Sequence, residues 1–340
     1  MDWDSINLST LDRLRKRFLS ADPDAGNYWR NWDDLVNYDA VFARRIGWKW
    51  DAALADLKRL GWTPPPGILL DWGCGTGIAT RRFLEHFGPS AIREIRAHDR
   101  SQIAMRFAVQ AIRKSTGRLK VSAANHDTLT SRKPIGLLLI SHVLNELDDA
   151  KRAELLNLCQ RAKAIIWVEP GSHTESRQLI EFREKILGDF QVVAPCCHAG
   201  RCEMMSSSNE RHWCHFFAEP PREILADSAW NNFSKEMHID LRSLPYSYLV
   251  MQHRKVKTSR ELRDMSGLTR VIGRPRVYKP MAKVFCCDEQ GLVDREAQKR
   301  DATELYKLCK KKETKALYRF EMNGERIVKA HDPEEDQPAG

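Results

Sequence analysis

The run at residues 68–77 constrains this chain more than any other stretch. It reads Ile-Leu-Leu-Asp-Trp-Gly-Cys-Gly-Thr-Gly: a short apolar strand, an acid, then glycine at every second position. A segment of helical period, residues 78–87, follows without a break. Glycine allows a tight turn and lets the backbone approach a ligand without side-chain clash. Strand, glycine turn and helix in that order open a nucleotide-binding α/β unit.

The pattern downstream agrees. Strand-like apolar runs at 92–98, 119–123, 135–140 and 164–168 alternate with helical periods at 101–114, 150–161 and 174–187, and residues 246–251 offer a later strand. Continuous apolar strands between helices predict a parallel sheet covered on both faces, a Rossmann-like α/β fold. Residues 1–62 read as helical: Leu11, Leu14 and Phe18 follow a Ser9-Thr10 cap, and Trp50, Ala53, Leu54 and Leu57 keep the period until Pro64-Pro65-Pro66. Periodicity fails over 190–244. The spacing therefore predicts helices over 1–62, an α/β unit over 63–253 with a Cys-rich insert at 190–244, a basic C-terminal extension over 254–325, and a disordered tail over 326–340. Within the extension, 283–287 reads as a strand and 293–319 as partly helical.

Charge is unevenly spread. The 340 residues carry a net charge of +9, yet residues 254–283 alone reach +8 and residues 295–319 reach +5. Two dense basic segments suit a polyanion, and nucleic acid is the usual one. No apolar run approaches the ~20 residues of a membrane helix, and the start of the chain has no apolar leader. The expectation is a cytoplasmic bacterial protein with neither membrane nor DNA as partner.

Three acids sharpen the glycine turn: Asp71 before it, Asp99 at the end of the second strand, and Asp127 ahead of the fourth. The combination resembles the class I S-adenosylmethionine-dependent methyltransferase fold. The resemblance implies that Gly73, Gly75 and Gly77 line the methionine portion of the cofactor and that Asp71 holds its amino group. Asp99 would accept from the ribose hydroxyls, as a strand-end acid does in dinucleotide folds, and Asp127 would reach the adenine. A nicotinamide domain instead wants Gly-x-Gly-x-x-Gly, which is absent. After the fourth strand comes Ser141-His-Val-Leu-Asn-Glu146. It holds neither an Asn/Asp-Pro-Pro-aromatic motif nor a Pro-Cys pair, so the catalytic residues stay unknown, with His142, Asn145 and Glu146 as weak candidates.

Six of the nine cysteines are clustered: Cys196, Cys197, Cys202 and Cys214 in the insert, Cys286 and Cys287 beyond it. Soft thiolates select zinc or an iron–sulfur cluster. The Cys-x2–4-Cys knuckles of structural zinc are missing. Wide spacing with a remote fourth thiol, Cys286 or Cys287, suits a [4Fe–4S] cluster better, with zinc as the alternative.

Taken together, residues 70–77, 141–147, Val168-Glu-Pro-Gly171, Val193-Ala-Pro-Cys-Cys-His198, Cys202, His212-Trp-Cys-His-Phe216, Tyr246-Ser-Tyr-Leu249 and Val284-Phe-Cys-Cys287 resemble the Rsm22 family of methyltransferase-like proteins of the small ribosomal subunit. The likeness spans about residues 30–310. It implies S-adenosylmethionine binding and a [4Fe–4S] site on Cys196, Cys202, Cys214 and Cys287. Cys287 is preferred to Cys286 because it precedes Gly291 by four residues, as the family's last ligand precedes its glycine. It also implies a role on small-subunit ribosomal RNA or in ribosome assembly, either as a methyltransferase or as a non-catalytic factor that binds the cofactor and cluster without methyl transfer.

Overall fold

Alternating apolar strands and helices resolve, in a computed structural model that describes residues 3–20 and 29–333, into one doubly wound sheet and one small barrel. The N-terminal helices are α1 (Leu8–Leu19), α2 (Trp32–Tyr38) and α3 (Arg44–Arg59), the last two joined by a π-helical stretch, Asp39–Ala43. Asn7, not Ser9 or Thr10, caps α1, its side chain accepting from the Thr10 amide. A polar side chain immediately ahead of the first turn satisfies an amide that has no partner within the helix.

The Rossmann-like sheet follows. In chain order come β1 (Gly67–Trp72), α4 (Ile78–Phe87), β2 (Ile92–His98), α5 (Gln102–Thr116), β3 (Lys120–Ala123), α6 (His126–Thr130), β4 (Ile135–Ser141), α7 (Asp149–Arg161), β5 (Ala162–Pro170), α8 (His173–Ile186), β6 (Phe190–Ala194), β7 (Phe216–Ala218), α9 (Arg222–Ala226), α10 (Ser228–Glu236) and β8 (Leu244–His253). The strand order is β3-β2-β1-β4-β5-β8-β6, with β7 also paired to β8. Strands β1 to β5 are parallel, and β8 runs antiparallel to both β5 and β6.

Alternation along each strand divides the core. Leu69, Leu137, Leu139 and Ile166 pack with α3 and with Phe83 of α4. Leu70, Leu138, Ile140 and Ile165 pack with Leu155 and Leu158 of α7 and Phe182 of α8. The predicted insert is shorter than expected: Phe190–Ala194 is an edge strand of the main sheet, and the longest irregular stretch runs from Pro195 to His215, broken only by short 3-10 turns. A five-residue strand is too brief for its period to show beside an irregular loop.

The C-terminal extension departs most from expectation. It forms β9 (Thr269–Val271), β10 (Arg276–Val277), β11 (Met281–Asp288), β12 (Gly291–Gln298), α11 (Thr303–Lys311), β13 (Leu317–Asn323) and β14 (Arg326–His331). Neighbours run β9-β11-β12-β14-β13, and β13 pairs back to β9, so the sheet closes on itself, with β10 added beside β11. Residues 326–331, expected as part of a disordered tail, are a strand; residues 334–340 lie outside the described residues. Ala282, Val284 and Cys286 point inward with Ala297, Leu305 and Ile327, while the basic residues between them face outward. That alternation buries short side chains and leaves a strand looking like a polar tail.

One buried ion pair joins the layers. Asp56 of α3 takes both its carboxylate oxygens to the Arg270 guanidinium of β9, at 3.0 and 3.1 Å. The Tyr248 hydroxyl of β8 donates to the same carboxylate, and Arg270 Nε donates to the Pro195 carbonyl at 2.9 Å, one residue before the first clustered thiol. Burial opposes ionisation of Asp56, but Arg270, with the Tyr248 and Arg59 contacts, outweighs it and holds the carboxyl below its usual range. Removing one member of a buried pair strands the other charge, at a cost of about 3–5 kcal/mol. Asp56→Ala is therefore expected to lower the urea midpoint by a comparable free energy. A loss under about 1 kcal/mol would mean that the pair does not brace the fold.

Candidate functional site

Strand order reverses between β1 and β4, and in an open α/β sheet the crevice beyond the strand ends at that point is where ligands bind. A cavity lies there. It is lined by Trp72, Gly73, Cys74, Gly75 and Thr76 after β1, by His98, Asp99 and Arg100 after β2, and by Ser141, His142, Val143 and Glu146 after β4. Helices α1 to α3 close it with Phe18, Tyr38 and Ile46.

The glycine turn behaves as its residues require, with one difference. Gly73 has φ +73°, and a β-carbon there would sit 2.5 Å from Val143. Gly75 has φ +50°, and a β-carbon would meet nothing within 4 Å, so that backbone borders open space in the cavity wall. Gly77 was expected to line the cofactor. It instead adopts φ +76° at the start of α4, where a β-carbon would press on Ile112 and Ala108 of α5. Its role is close helix packing.

The acids divide likewise. Asp99 sits in the cavity wall, accepting from the Gly75 amide through Oδ2 and from the Ser101 amide through Oδ1, each at 2.9 Å. Each carboxylate oxygen keeps a further lone pair. Asp71 is fully buried under the turn. Its Oδ2 accepts from the Thr80 hydroxyl at 2.7 Å, and Oδ1 has no partner among the described residues. Burial pushes its carboxyl up to about 6. Asp127 does not join them. It stands on α6, its side chain 65% exposed and 4.0 Å from Lys133, away from the cavity-lining residues.

Beside this cavity lies a second one, sharing Phe18, Tyr38, Ile46 and His142 with the first and carrying Arg15, Arg45 and Lys49 against Glu175. His142 stands at the common wall with φ +52°, a left-handed conformation that costs free energy in any residue but glycine. Its amide donates to the Val168 carbonyl at 3.0 Å, and its Nε2 lies 3.3 Å from Lys49 Nζ. Burial first and Lys49 second push the imidazole well below its ordinary range, so it is neutral at pH 7. Burial and Arg45 bring the Lys49 ammonium down to about 8. The other two candidate catalytic residues are engaged structurally: Asn145 donates to the Phe18 carbonyl at 3.1 Å, and Glu146 pairs with Arg100 at 3.3 Å.

Sequence reasoning missed Lys49 and Glu169. Lys49 lies 93 positions from His142 and carries no motif. Glu169, inside a quoted family motif but given no role, is fully buried. Its Oε1 accepts from Trp167 Nε1 at 2.6 Å and from the Val143 amide at 3.0 Å, and Oε2 has no partner among the described residues. It thereby pins the turn that carries His142.

The thiols gather where the irregular 195–215 stretch meets the barrel. Neighbouring β11 residues face opposite ways. Cys286 enters the barrel core beside Val284, whereas Cys287 joins Ile180, Met204 and Ile272, with Cys202 and Cys214 packed against them. Burial first, then charge on Cys196, Cys214, Cys197 and Cys202, raises the Cys287 thiol strongly. Cys202 is pushed up to about 11 by burial and Cys196. The sulfurs are thus within electrostatic reach of one another. The buried Arg183 beside Cys196 and Cys202 offsets the charge of thiolates; despite burial, those neighbours and Glu184 raise its own pKa. Among the described residues, no three His, Cys, Asp or Glu side chains gather tightly enough to hold a single metal ion.

Burial lifts the Glu169 carboxyl from its ordinary 4.5 to about 8. An acid with a raised folded-state pKa stabilises below the unfolded value and loses that contribution as pH rises through the folded one. Urea unfolding across pH 5 to 9 is expected to show stability falling toward about pH 8. Glu169→Gln should flatten that fall and be the more stable protein at the alkaline end. Parallel curves for the two proteins would refute the burial argument.

Comparison with known proteins bears on this arrangement. Among solved structures, magnesium protoporphyrin IX methyltransferase from Synechocystis with bound S-adenosylhomocysteine is 13% identical, covers 72% of this chain and 94% of its own, and superposes with a TM-score of 0.39. The N-methyltransferase NodS from Bradyrhizobium japonicum, also in complex with S-adenosylhomocysteine, is 11% identical over 72% of this chain and 100% of its own, with a TM-score of 0.37. No curated protein matches the sequence. The family described as mitochondrial small ribosomal subunit Rsm22 matches residues 46–317, the whole α/β sheet and the barrel up to the start of its β13 strand, and the chain belongs to that Rsm22 family.

Proposed function

We propose that this protein is an S-adenosylmethionine-binding, methyltransferase-like protein that acts on the small ribosomal subunit and its RNA. The observation that carries this is the cavity at the β1/β4 reversal, where the Gly73–Gly75 backbone, Asp99 and the turn after β4 meet. The chain's own residues fit the cofactor. Asp99 offers lone pairs to ribose hydroxyls while it holds the Gly75 amide, and the unpartnered Asp71 Oδ1 is a buried acceptor under the turn that would face the amino group. The bound sulfonium would supply an already activated methyl group, so alignment is the protein's main contribution. An acceptor would enter through the adjoining cavity, where Lys49 lines the wall and neutral His142 stands at the boundary with the first.

A second reading, an assembly factor that binds the cofactor without methyl transfer, is favoured by one observation. Asn145 and Glu146, two of the three candidate catalytic side chains, are committed to Phe18 and Arg100. Mapping ribosomal RNA methylation with and without the gene separates the two readings. A mark restored by the wild-type gene and not by a cofactor-binding mutant supports catalysis.

We further propose that Cys196, Cys202, Cys214 and Cys287 hold a [4Fe–4S] cluster. Support comes from where these thiols lie: Cys202, Cys214 and Cys287 pack together where the irregular stretch meets the barrel, and the buried Arg183 stands beside Cys196 and Cys202. The cluster would supply thiolate–iron bonds tying the irregular stretch after β6 to strand β11 of the barrel.

Calorimetry of S-adenosylhomocysteine binding is expected to show at least a tenfold loss in Asp99→Ala, since a charged hydrogen bond is worth about 1.5–3 kcal/mol. Unaltered affinity would sink the cofactor assignment. For the thiols, anaerobically purified wild type should contain iron and sulfide and absorb broadly in the visible. Cys214→Ser should lose that absorbance, and Cys286→Ser should keep it. A colourless wild type with one equivalent of zinc would establish the zinc alternative instead.

A further inference from the structure

The barrel's connectivity carries information that its charge alone does not. Taken in chain order, its five closing strands β9, β11, β12, β13 and β14 lie in the spatial order first, second, third, fifth, fourth, and back to first. The third and fifth, β12 and β14, are parallel, and the other described pairings are antiparallel. The helix α11 falls between the third and fourth strands and closes the barrel core with Leu305, Tyr306 and Cys309. That is the topology of the oligonucleotide/oligosaccharide-binding barrel, whose ligand surface is formed by the second and third strands and the loops beside them.

Fold alone does not assign a ligand; the loop between β9 and β11 does. It carries Arg274, Arg276 and Lys279, with Lys283 next on β11, and residues 276–280 are all exposed. Tyr278 is 52% exposed, while its amide donates to the Met281 carbonyl at 2.7 Å and its carbonyl accepts from the Tyr306 hydroxyl at 3.1 Å. A solvent-facing ring on a tethered backbone costs little entropy to use. Val277 beside it is also exposed, at 41%, so the tip presents an apolar and aromatic platform ringed by cations. Arg274 lies over the Phe217 ring at 4.0 Å, anchoring the loop to β7. Aromatic faces that stack bases, set among cations that track phosphates, are the means by which such barrels hold single strands.

We propose that the C-terminal barrel is a single-stranded RNA-binding module, in which Tyr278 stacks on a base and Arg276, Lys279 and Lys283 contact the adjoining phosphates. It rests on the reading of this chain as acting on RNA, and adds where the RNA is gripped and in what form. The acidic partner Asp294, paired with Arg276, leaves Lys279 and Lys283 as the main source of net positive charge on this face.

The test uses the full chain and a fluorescein-labelled 12-nucleotide oligouridylate, read by anisotropy, with S-adenosylhomocysteine affinity and thermal melting measured on every variant. Tyr278→Ala is expected to weaken RNA binding at least fivefold, in line with about 1–3 kcal/mol per stacked base, and Tyr278→Phe should retain it. Lys279→Gln with Lys283→Gln should weaken it and flatten the salt dependence, by about 0.7 in log–log slope for each phosphate lost. Cofactor affinity should hold throughout. RNA affinity unchanged in Tyr278→Ala, with the protein folded and the cofactor still bound, overturns this inference and leaves the cofactor reading standing. Loss of cofactor binding in the wild type would instead strike the function proposed above. Equal affinity for an RNA duplex would overturn the single-strand assignment.

Discussion

The Asp56–Arg270 pair is the constraint on which the architecture turns. A carboxylate on an N-terminal helix meets a guanidinium on the first barrel strand, and both are nearly removed from water. In low dielectric such a pair leans on partners for its remaining donors and acceptors, of which only Arg270 Nη2 has none among the described residues. Tyr248 on the sheet and the Pro195 carbonyl beside the thiols supply two of those contacts. Helix α3, strand β8, the cysteine-bearing stretch and the barrel are therefore held at a single point. Since α3 also carries Lys49, the same pair fixes the register of a side chain in the wall of the second cavity.

From that frame the candidate site gains its asymmetry. Parallel strands deliver the loops after β1, β2 and β4 to one edge of the sheet, and the N-terminal helices roof them. The Gly73–Thr76 turn, Asp99 and Glu146 line the first cavity, whereas Arg15, Arg45 and Lys49 stand in the wall of its neighbour. His142 marks the boundary. Its left-handed backbone is held by the Val168 carbonyl, and the following Val143 amide is held by Glu169. Strain of this kind persists when the surroundings over-determine it, and here a buried carboxylic acid does so from behind the turn.

Family membership joins the α/β sheet to the barrel, and the physical link between them is equally direct. Arg270 binds Asp56 from the barrel side, Arg274 covers Phe217, and Glu203 from the irregular stretch accepts from the Leu292 amide of β12. A cluster spanning Cys196, Cys202, Cys214 and Cys287 would add covalent ties at the same junction. RNA gripped by the barrel and a nucleotide reaching the cavity would then be addressed by one connected body.

What the sequence determined by itself was local. The run from Ile68 to Gly77 specifies strand, turn and helix because apolar side chains and flexible glycines act over adjacent positions, and Asp99 follows because a strand end sets its place. Motif resemblance carried the family. Everything that needed distant segments to meet was settled only by tertiary structure. Gly77 became a packing residue because α5 lies against it, and Asp127 left the site because α6 turned it to solvent. Cys287 rather than Cys286 faces the other thiols because the pleat of β11 points successive side chains to opposite faces. Lys49 meets His142 because the chain folds α3 onto the sheet. The barrel was the least legible part: its strands are short, their outward positions are basic, and their pairing is closed by β9, whose partners lie up to about fifty residues further along the chain. Charge was readable there, but the surface that would use it was not.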